Sequence, residues 1–450
     1  MSKDIRIQKG LNIKLKGVAE KSLTDLSVSG DNFSLSPLDF HGLVPKLMVK
    51  AGDTVLAGDT IFYNKMNDMV KFASPVSGTV SEIIRGEKRR ILNVVISPDT
   101  EQKHKDFGKH DPFKMDESEI KSLLSESGCF PYIKQRPYDV MASPQDEPRD
   151  IFISGLSTAP LSADIPYLLK GKEVDFQIGI NVLSKLTKGK VHLSVSGNEE
   201  SFLNKTENAV IHKVFGKHPA GNVGVQINKI APVNKGEIVW TIAAQDVAII
   251  GSLFNTGNYN PKRTFALSGS VIDKPQYFSA LQGSSLKGLL SKHLTNDNVR
   301  VINGDVLTGV KTSEEGHLGY YTNEITVIPE GDYYTFFGWM PFTQNKKFSV
   351  SRTFLSWLMP NKAYDLDTNM NGEDRAIVMT GEMEKVMPMD IYPMQLIKAI
   401  LTGNIEDMEN LGIYEVAPED FALIDFVSSS KVEAQSVVRQ GLDLMIKEVG

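Results

Sequence analysis

Apolar and polar positions fall into four successive blocks along the chain. Over residues 1–105 they alternate in short runs between glycine-bearing turns. Lys9-Gly10 and Lys16-Gly17 punctuate the first of these. The stretch LMVKAGDTVLAGDTIF then carries a near-repeat, Ala51-Gly52-Asp53 and Ala57-Gly58-Asp59. Each Gly-Asp reads as a tight turn, with glycine supplying positive φ and aspartate a local side-chain hydrogen bond. FASPVSGTV, EIIRGEKRR and ILNVVIS continue the pattern, and short strands between regular turns predict a barrel-like sandwich.

Residues 106–260 alternate between strand and helix patterns. Helices are predicted over Ser118–Ser127, Ala163–Lys170, Val182–Leu186 and Asp246–Phe254. Strands are predicted over Asp150–Gly155, Val174–Ile180, Val191–Val195, Asn208–Lys213 and Ile238–Ala244, which together argue for an α/β sheet. Residues 261–345 turn β again: strands Arg263–Leu267, Val299–Asn303 and Glu324–Ile328 surround a short helix at Ser285–Ser291, as in a small β-grasp module. Residues 346–450 read as helical, with Ser351–Leu358, Pro393–Leu401, Ile405–Leu411 and Lys431–Val449. Val437, Leu442 and Met445 mark one face of the last helix. Polar stretches at 141–149 and 361–374 read as loops. The fold class expected is therefore α+β and multidomain.

Composition narrows this picture. The 450 residues are 41% hydrophobic and 23% charged, with a net charge of −6 spread over both signs, as in a soluble globular chain. No long basic run exists to hold a nucleic acid. The only cysteine, Cys129, leaves no internal disulfide, CxxC pair or four-cysteine cluster site, and fits a reducing cytoplasmic setting. MSKDIRIQKGLNIKLKG lacks the apolar core of a signal peptide. The longest apolar stretch, Ile238–Phe254, is interrupted by Gln245 and Asp246, short of the roughly 18 uncharged residues a membrane span needs. The chain is expected not to cross a membrane, though it can sit on a membrane complex.

Several stretches look chemical. FASPVSGTV resembles the return strand of a biotinyl/lipoyl carrier domain, whose cargo lysine stands about eight residues before the proline. Asn67 occupies that place and Lys65 is out of register, so a carrier-like fold without cargo is expected. His218-Pro219-Ala220-Gly221-Asn222-Val223-Gly224 contains a GxxG but lacks the GxGxxG of a pyrophosphate loop, and reads as shaping a loop. The eight histidines are scattered, without an HxxxH or HExxH pair, and no GxSxG elbow is present. The aromatic run Tyr333–Trp339, with Phe348 and Phe354 nearby, reads as core packing. CFPYIKQRPY, Cys129–Tyr138, has two prolines that forbid a regular helix. It reads as a rigid segment that either contacts a planar ligand or joins domains.

Taken in order, SPVSGTVSEIIRGEKRRILNVVI (74–96), HPAGNVG (218–224), VWTIAAQDVAIIGSLFNTG (239–257), LSGSVIDKP (267–275), GDVLTG (304–309), FFGWMPFTQNKKFSVSRTFLS (336–356), EKVMPMDIYPMQL (384–396) and EDFALIDFVSSSK (419–431) resemble the NqrA family of sodium-translocating NADH:quinone reductase subunits. The resemblance covers nearly the whole chain. It implies a biotinyl/lipoyl-like β domain over 1–105, a Rossmann-like α/β domain over 106–260, a β-grasp (SLBB-like) domain over 261–345 and a helical C-terminal domain over 346–450.

That layout is similar to the RnfC proteins and to the NADH-oxidising flavoprotein of respiratory complex I. Those proteins bind FMN through a glycine-rich loop and an iron–sulfur cluster through cysteines. Here Ser127-Gly128-Cys129-Phe130-Pro131-Tyr132 stands at the flavin loop and Phe426-Val427-Ser428-Ser429-Ser430-Lys431 at the cluster. Side chains replace the glycines that let backbone approach a phosphate, and serine does not replace a thiolate.

The resemblance therefore implies a peripheral subunit on the cytoplasmic side of the bacterial inner membrane, in a six-subunit complex. Membrane and flavin-bearing subunits are its partners. It carries no cofactor of its own; NAD, FAD, FMN and Fe–S belong to other subunits, and quinone is the substrate of the complex. The candidate quinone contacts are Phe40, Val44 and Lys46 in DFHGLVPKLM (39–48), and Phe130, Tyr132 and Arg136 in the aromatic segment. Phe40, Val44, Phe130 and Tyr132 would pack on the ring, while Lys46 and Arg136 would bond a carbonyl or favour its reduced anion. Two alternatives stay open: a purely structural docking scaffold, and a flavin-binding electron-transfer protein like RnfC.

Overall fold

The computed structural model describes residues 2–26, 32–338, 340 and 347–449. At its centre lies a seven-stranded sheet in the order Asp4–Ile7, Val210–Gly216, Val191–Ser196, Ile151–Ser154, Val239–Ala243, Lys134–Arg136, Val140–Met141. The first five are mutually parallel; Lys134–Arg136 runs antiparallel to Val239–Ala243, and Val140–Met141 antiparallel to Lys134–Arg136. Numbered by their place in the α/β segment, the four central strands run 3-2-1-4, so the strand order reverses between Ile151–Ser154 and Val239–Ala243. Ile151–Ser154, Val191–Ser196 and Val239–Ala243 are almost continuously buried, as a parallel sheet covered on both faces requires, whereas Val210–Gly216 is buried only at His212 and Val214.

Helices Glu173–Ser184 and Ala244–Thr256 pack closely on one another. A Cβ on Gly179 would lie 2.0 Å from the Val247 carbonyl oxygen, and one on Gly251 would lie 1.7 Å from that of Asp175, so only glycine permits this contact. The first of these helices corrects the strand expected at Val174–Ile180. Phe176, Ile180 and Leu183 recur at helical spacing and are all buried. The β-branched and aromatic content of EVDFQIGINV imitates a strand in a window too short to show that period.

Strands from residues 1–105 join more than one sheet. Ile5 and Ile7 are buried in the α/β sheet, beside Ile13, Leu15 and the C-terminal helices. Glu20–Asp25 adds a strand parallel to Gln276–Leu281 at the edge of a different sheet. The barrel-like sandwich starts at Phe33–Leu35 and ends with Ile91–Pro98. Its two expected turns form as read: Asp53 Oδ2 accepts from Lys50 N and Asp59 Oδ2 from Leu56 N, each at 2.8 Å.

The third unit is a six-stranded sheet, Val310–Thr312, Val299–Asn303, Glu324–Pro329, Lys262–Ser268, Gln276–Leu281, Glu20–Asp25, around helix Lys287–His293. Helices Pro393–Leu401, Ala422–Val427 and Ala434–Glu448 build most of the C-terminal unit, and Asp425 Oδ1 caps the last by accepting from Ala434 N at 2.5 Å. The helix expected at Ser351–Leu358 shortens to a 3-10 turn, Leu355–Leu358. Its hydroxyls bond locally instead: Ser351 Oγ lies 2.9 Å from Thr353 Oγ1, and Ser356 Oγ both accepts from and donates to the Ser349 backbone. The helix expected at Ala163–Lys170 likewise shortens to Ile165–Leu168.

Candidate functional site

Aromatic rings from three units meet at one junction. Phe40 follows the 3-10 turn Pro37–Asp39, which Ser36 caps by accepting from Leu38 N. Its ring packs 4.4 Å from Phe72, 4.6 Å from Tyr320 and 5.7 Å from Tyr321. Tyr320 in turn stacks on Tyr132. The Tyr132 hydroxyl donates to Gln282 Oε1 at 2.9 Å and lies 3.0 Å from the Tyr259 hydroxyl. Tyr320 Oη donates to Gly128 O (3.2 Å) and Tyr321 Oη to Pro131 O (2.6 Å), so the sheet of the third unit is riveted to the FPY turn. Asp39 Oδ2 accepts from Tyr320 N at 2.8 Å and fixes the loop from the other side. Burial holds the phenols of Tyr132 and Tyr320 protonated, well above the ordinary tyrosine range.

The six candidate residues divide by depth. Phe130 is fully buried, edge-on to Trp240 at 5.7 Å, and Tyr132 is 1% exposed. Arg136 is also buried, with Nη2 donating to Glu419 Oε1 at 2.8 Å and with Asp139 and Asp420 each 3.6 Å away. It joins the α/β unit to the C-terminal helices. Phe40 is buried under its loop. Val44 is 45% exposed and Lys46 lies at the surface, its ammonium 5.4 Å from the Tyr63 ring. Phe40 and Tyr132 thus share Tyr320 as a neighbour, Val44 and Lys46 face solvent, and Arg136 belongs to a separate ionic contact.

Sequence reasoning missed Tyr320, Tyr321, Tyr259 and Gln282. The signal for the first two was the Gly319-Tyr320-Tyr321 step just before strand Glu324–Pro329. Lys134, with its ammonium 4.5 Å from the Tyr321 ring, was inside the segment singled out but was not chosen.

Other stretches have structural partners. Asn67, at the carrier-lysine position, donates to Ser143 Oγ and Gln145 Oε1 at 3.2 Å, so the hairpin end docks on the α/β unit. His218 is buried, which lowers its pKa to about 4, and its Nδ1 lies 3.2 Å from Thr158 Oγ1. Gly221 N donates to the same hydroxyl, as a loop-shaping role requires. Ser428 and Ser430 are buried; Ser430 Oγ donates to Ala376 O. Core packing holds for Phe348, which packs on Tyr364 and Phe426, but not for Tyr334 and Phe336, which are exposed; Trp339 lies outside the described residues. Among the described residues no cluster of His, Cys, Asp and Glu could hold a metal ion, and no helix is long and apolar enough to cross a membrane. Two open surface grooves, of about 880 and 500 Å³, contain none of the six candidates.

Two places bear on a nucleotide. Open α/β sheets bind them where the strand order reverses, at the carboxyl ends of the strands. Here that crevice follows Val239–Ala243 and holds Asp246 and Gln245, both buried. Arg263, from the third unit, is fully buried against Asp246, while Gln245 bonds both backbone groups of Thr264. The chain fills the crevice with its own side chains. The segment 127–132 is equally closed: a Cβ on Gly128 would meet Ala73 Cβ at 2.6 Å and Ala73 N at 2.7 Å. Cys129 beside it is fully buried, and burial pushes its thiol up to about 12. A flavin phosphate does not fit either place.

Comparison with known proteins agrees across the chain. The family descriptions that match are "NqrA N-terminal barrel-sandwich hybrid domain" over residues 5–99, "NqrA second alpha/beta domain" over 115–259 and "NQRA C-terminal domain" over 264–314. The A subunit of the Na(+)-translocating NADH-quinone reductase of Neisseria meningitidis serogroup A is 36% identical over 448 residues, covering 99% of this chain and 100% of the relative. The proteins of the same name from Hahella chejuensis and Haemophilus influenzae are 34% and 35% identical over the same shares. A solved NAD+-reducing [NiFe]-hydrogenase superposes with a TM-score of 0.33 and 12% identity over 67% of this chain and 55% of that one, too slight a likeness to bear on the fold.

Proposed function

The chain belongs to the NqrA family, the A subunits of Na(+)-translocating NADH-quinone reductases, and from that premise we propose that it is the peripheral, cytoplasmic-side subunit of such a reductase in the bacterial inner membrane. In this reading it contributes to quinone binding while electrons pass from NADH to quinone and Na+ is exported. NAD, FAD, FMN and Fe–S reside on the other members of a six-subunit assembly, and this chain holds none of them. The filled crevice at Arg263 and Asp246 and the closed seat of Gly128 support that division. The 3-2-1-4 strand order supports a Rossmann-like ancestry for the α/β unit.

The observation that carries the site is the loop from Leu38 to Met48. Leu38, Val44 and Met48 are 47%, 45% and 60% exposed, while Phe40 within the same loop packs its buried ring on Tyr320, which in turn stacks on Tyr132. Exposed apolar groups on a rigid aromatic base suit a planar ring at a subunit boundary. Val44 contacts the ring and Lys46 donates to a carbonyl, stabilising charge that builds on it. Phe40, Phe130 and Tyr132 position the loop from below, and Arg136 steadies the segment behind it.

A docking scaffold is the second reading, favoured by the burial of Phe130, Tyr132 and Arg136 in contacts of their own. Photo-crosslinking with a quinone analogue in the assembled complex separates the two. Label within residues 38–48 supports the quinone reading; label confined to membrane subunits overturns it in favour of the scaffold. The visible spectrum of the purified chain tests the flavin reading, and flavin absorbance would restore it.

A further inference from the structure

Between Tyr333 and Tyr364, both included, the sequence has ten aromatic residues, four cations (Lys346, Lys347, Arg352, Lys362) and neither Asp nor Glu. The chain as a whole has a net charge of −6, and two of its three tryptophans fall in this segment. Trp339, Phe342 and Lys346 lie outside the described residues. Of those described, Tyr364 is buried and Phe348 packs on it and on Phe426, but Tyr334 is fully exposed, Phe336 is 87%, Leu358 57% and Trp357 49% exposed. Single exposed apolar residues need no explanation, but a dense group of large rings does.

The two exposed runs are tied side by side. Lys347 Nζ donates to Gly338 O at 3.1 Å and stands 5.7 Å from the Phe354 ring. Ser349 N donates to Ser356 Oγ at 3.0 Å. The Arg352 guanidinium lies 5.6 Å from the Trp357 ring. The segment's first residue is held too, as Asn369 Nδ2 donates to Tyr333 O at 2.6 Å and Tyr333 Oη donates to Asp367. The rings therefore project from a folded base, with cations set beside them.

Rings interleaved with cations, with carboxylates (Asp332, Asp365, Asp367) only at the flank, match the boundary layer of a bilayer. Amphipathic rings settle at the headgroup level there, and Lys and Arg meet lipid phosphates. We propose that residues 333–337 and 350–359 form a membrane-interface anchor, with Tyr334, Phe336, Trp357 and Leu358 entering an anionic bilayer and Arg352 facing its phosphates. The charge contrast with the rest of the chain favours lipid over a protein partner. The anchor needs only this chain and lipid, so it stands apart from where quinone binds.

The test is co-sedimentation of the purified full chain with vesicles of phosphatidylethanolamine and phosphatidylglycerol, against vesicles of phosphatidylcholine alone. The chain is expected to bind the anionic vesicles, less so at high salt, and to bind phosphatidylcholine weakly. Phe336→Ser with Trp357→Ser should lower partitioning by about tenfold or more, and Arg352→Gln by about fivefold. An unchanged unfolding midpoint shows that the variants are folded. Brominated lipid should quench the wild-type tryptophan emission, a readout that needs no variant. No binding to anionic vesicles overturns the proposal, as does equal binding by the variants. A chain that ignores vesicles, but whose variants fall off the assembled complex, places a protein on this patch and rejects the bilayer.

Discussion

The ring of Tyr320 lies stacked on that of Tyr132, centroids 4.7 Å apart and planes 25° from parallel. One residue belongs to the six-stranded unit and the other to the FPY turn of the α/β unit, and Phe40 brings the barrel to the same ring at 4.6 Å. Tyr320 is 1% exposed, so Tyr320→Ala opens a cavity where three units meet and should cost roughly 3–5 kcal/mol. Tyr320→Phe keeps the stack and loses the hydroxyl's contacts with Gly128 O and Tyr259, at about 1–2 kcal/mol. Urea unfolding of both variants checks this. A Tyr320→Ala cost no larger than that of Tyr320→Phe would show that the rings do not hold the junction.

Arg263 and Asp246 form the most deeply buried ion pair of the described residues, with side chains 0% and 1% exposed. Removing one partner leaves a bare charge in a place water does not reach. Arg263→Met should therefore cost roughly 3–5 kcal/mol, more than replacing the pair together by apolar residues of similar volume. Thermal unfolding of Arg263→Met, Asp246→Leu and the double variant measures the difference. Additive losses would mean that the two charges do not depend on each other.

Glu324 gives a pH dependence with a definite sign. It is 8% exposed and accepts from Ala163 N at 2.8 Å. Burial, with the charge of Asp305 nearby, raises its pKa from 4.5 to about 8. The folded chain thus binds a proton that the unfolded chain releases over this interval. The contribution is whole below pH 4.5 and is lost as pH rises towards about 8. Glu324→Gln keeps the acceptor for Ala163 N and cannot titrate, so it should flatten the fall in stability across that window. Denaturant midpoints at a series of pH values decide it; parallel curves for the two proteins would remove Glu324 as the source.

These residues show where sequence was informative. The Gly-Asp turns were legible because their chemistry is local: Asp53 and Asp59 bond backbone three residues away. The helix Glu173–Ser184 was not, since its face is defined by a partner far along the chain, where Val247 meets Gly179. The first strand hid for a similar reason. Ile5 and Ile7 look like any alternating pair until Val214 lies beside them. At the site, the aromatic content of 129–138 and the loop at 39–48 were visible. Depth was not: nothing local distinguishes the buried Tyr132 from the exposed Tyr334. Tyr320 escaped altogether because its role exists only after three units assemble.

Lys46 separates a quinone contact from a merely packed surface. Its ammonium lies 5.4 Å from the Tyr63 ring at the protein surface. Lys46→Ala should therefore change the stability of the isolated chain by no more than about 0.5 kcal/mol. Val44 is half exposed, and Val44→Ala should be similarly mild. In the assembled reductase the two variants should differ from each other. Val44→Ala removes contact made equally with bound and reacting quinone, and should raise KM for quinone with kcat nearly kept. Lys46→Ala removes a donor that strengthens as charge builds on the carbonyl, and should lower kcat by roughly tenfold or more. Lys46→Arg keeps the charge and should restore part of that rate. Steady-state turnover against a short-tail quinone distinguishes the cases. Wild-type kcat and KM in both variants, with the complex intact, would remove the loop from the quinone site and leave it a docking surface.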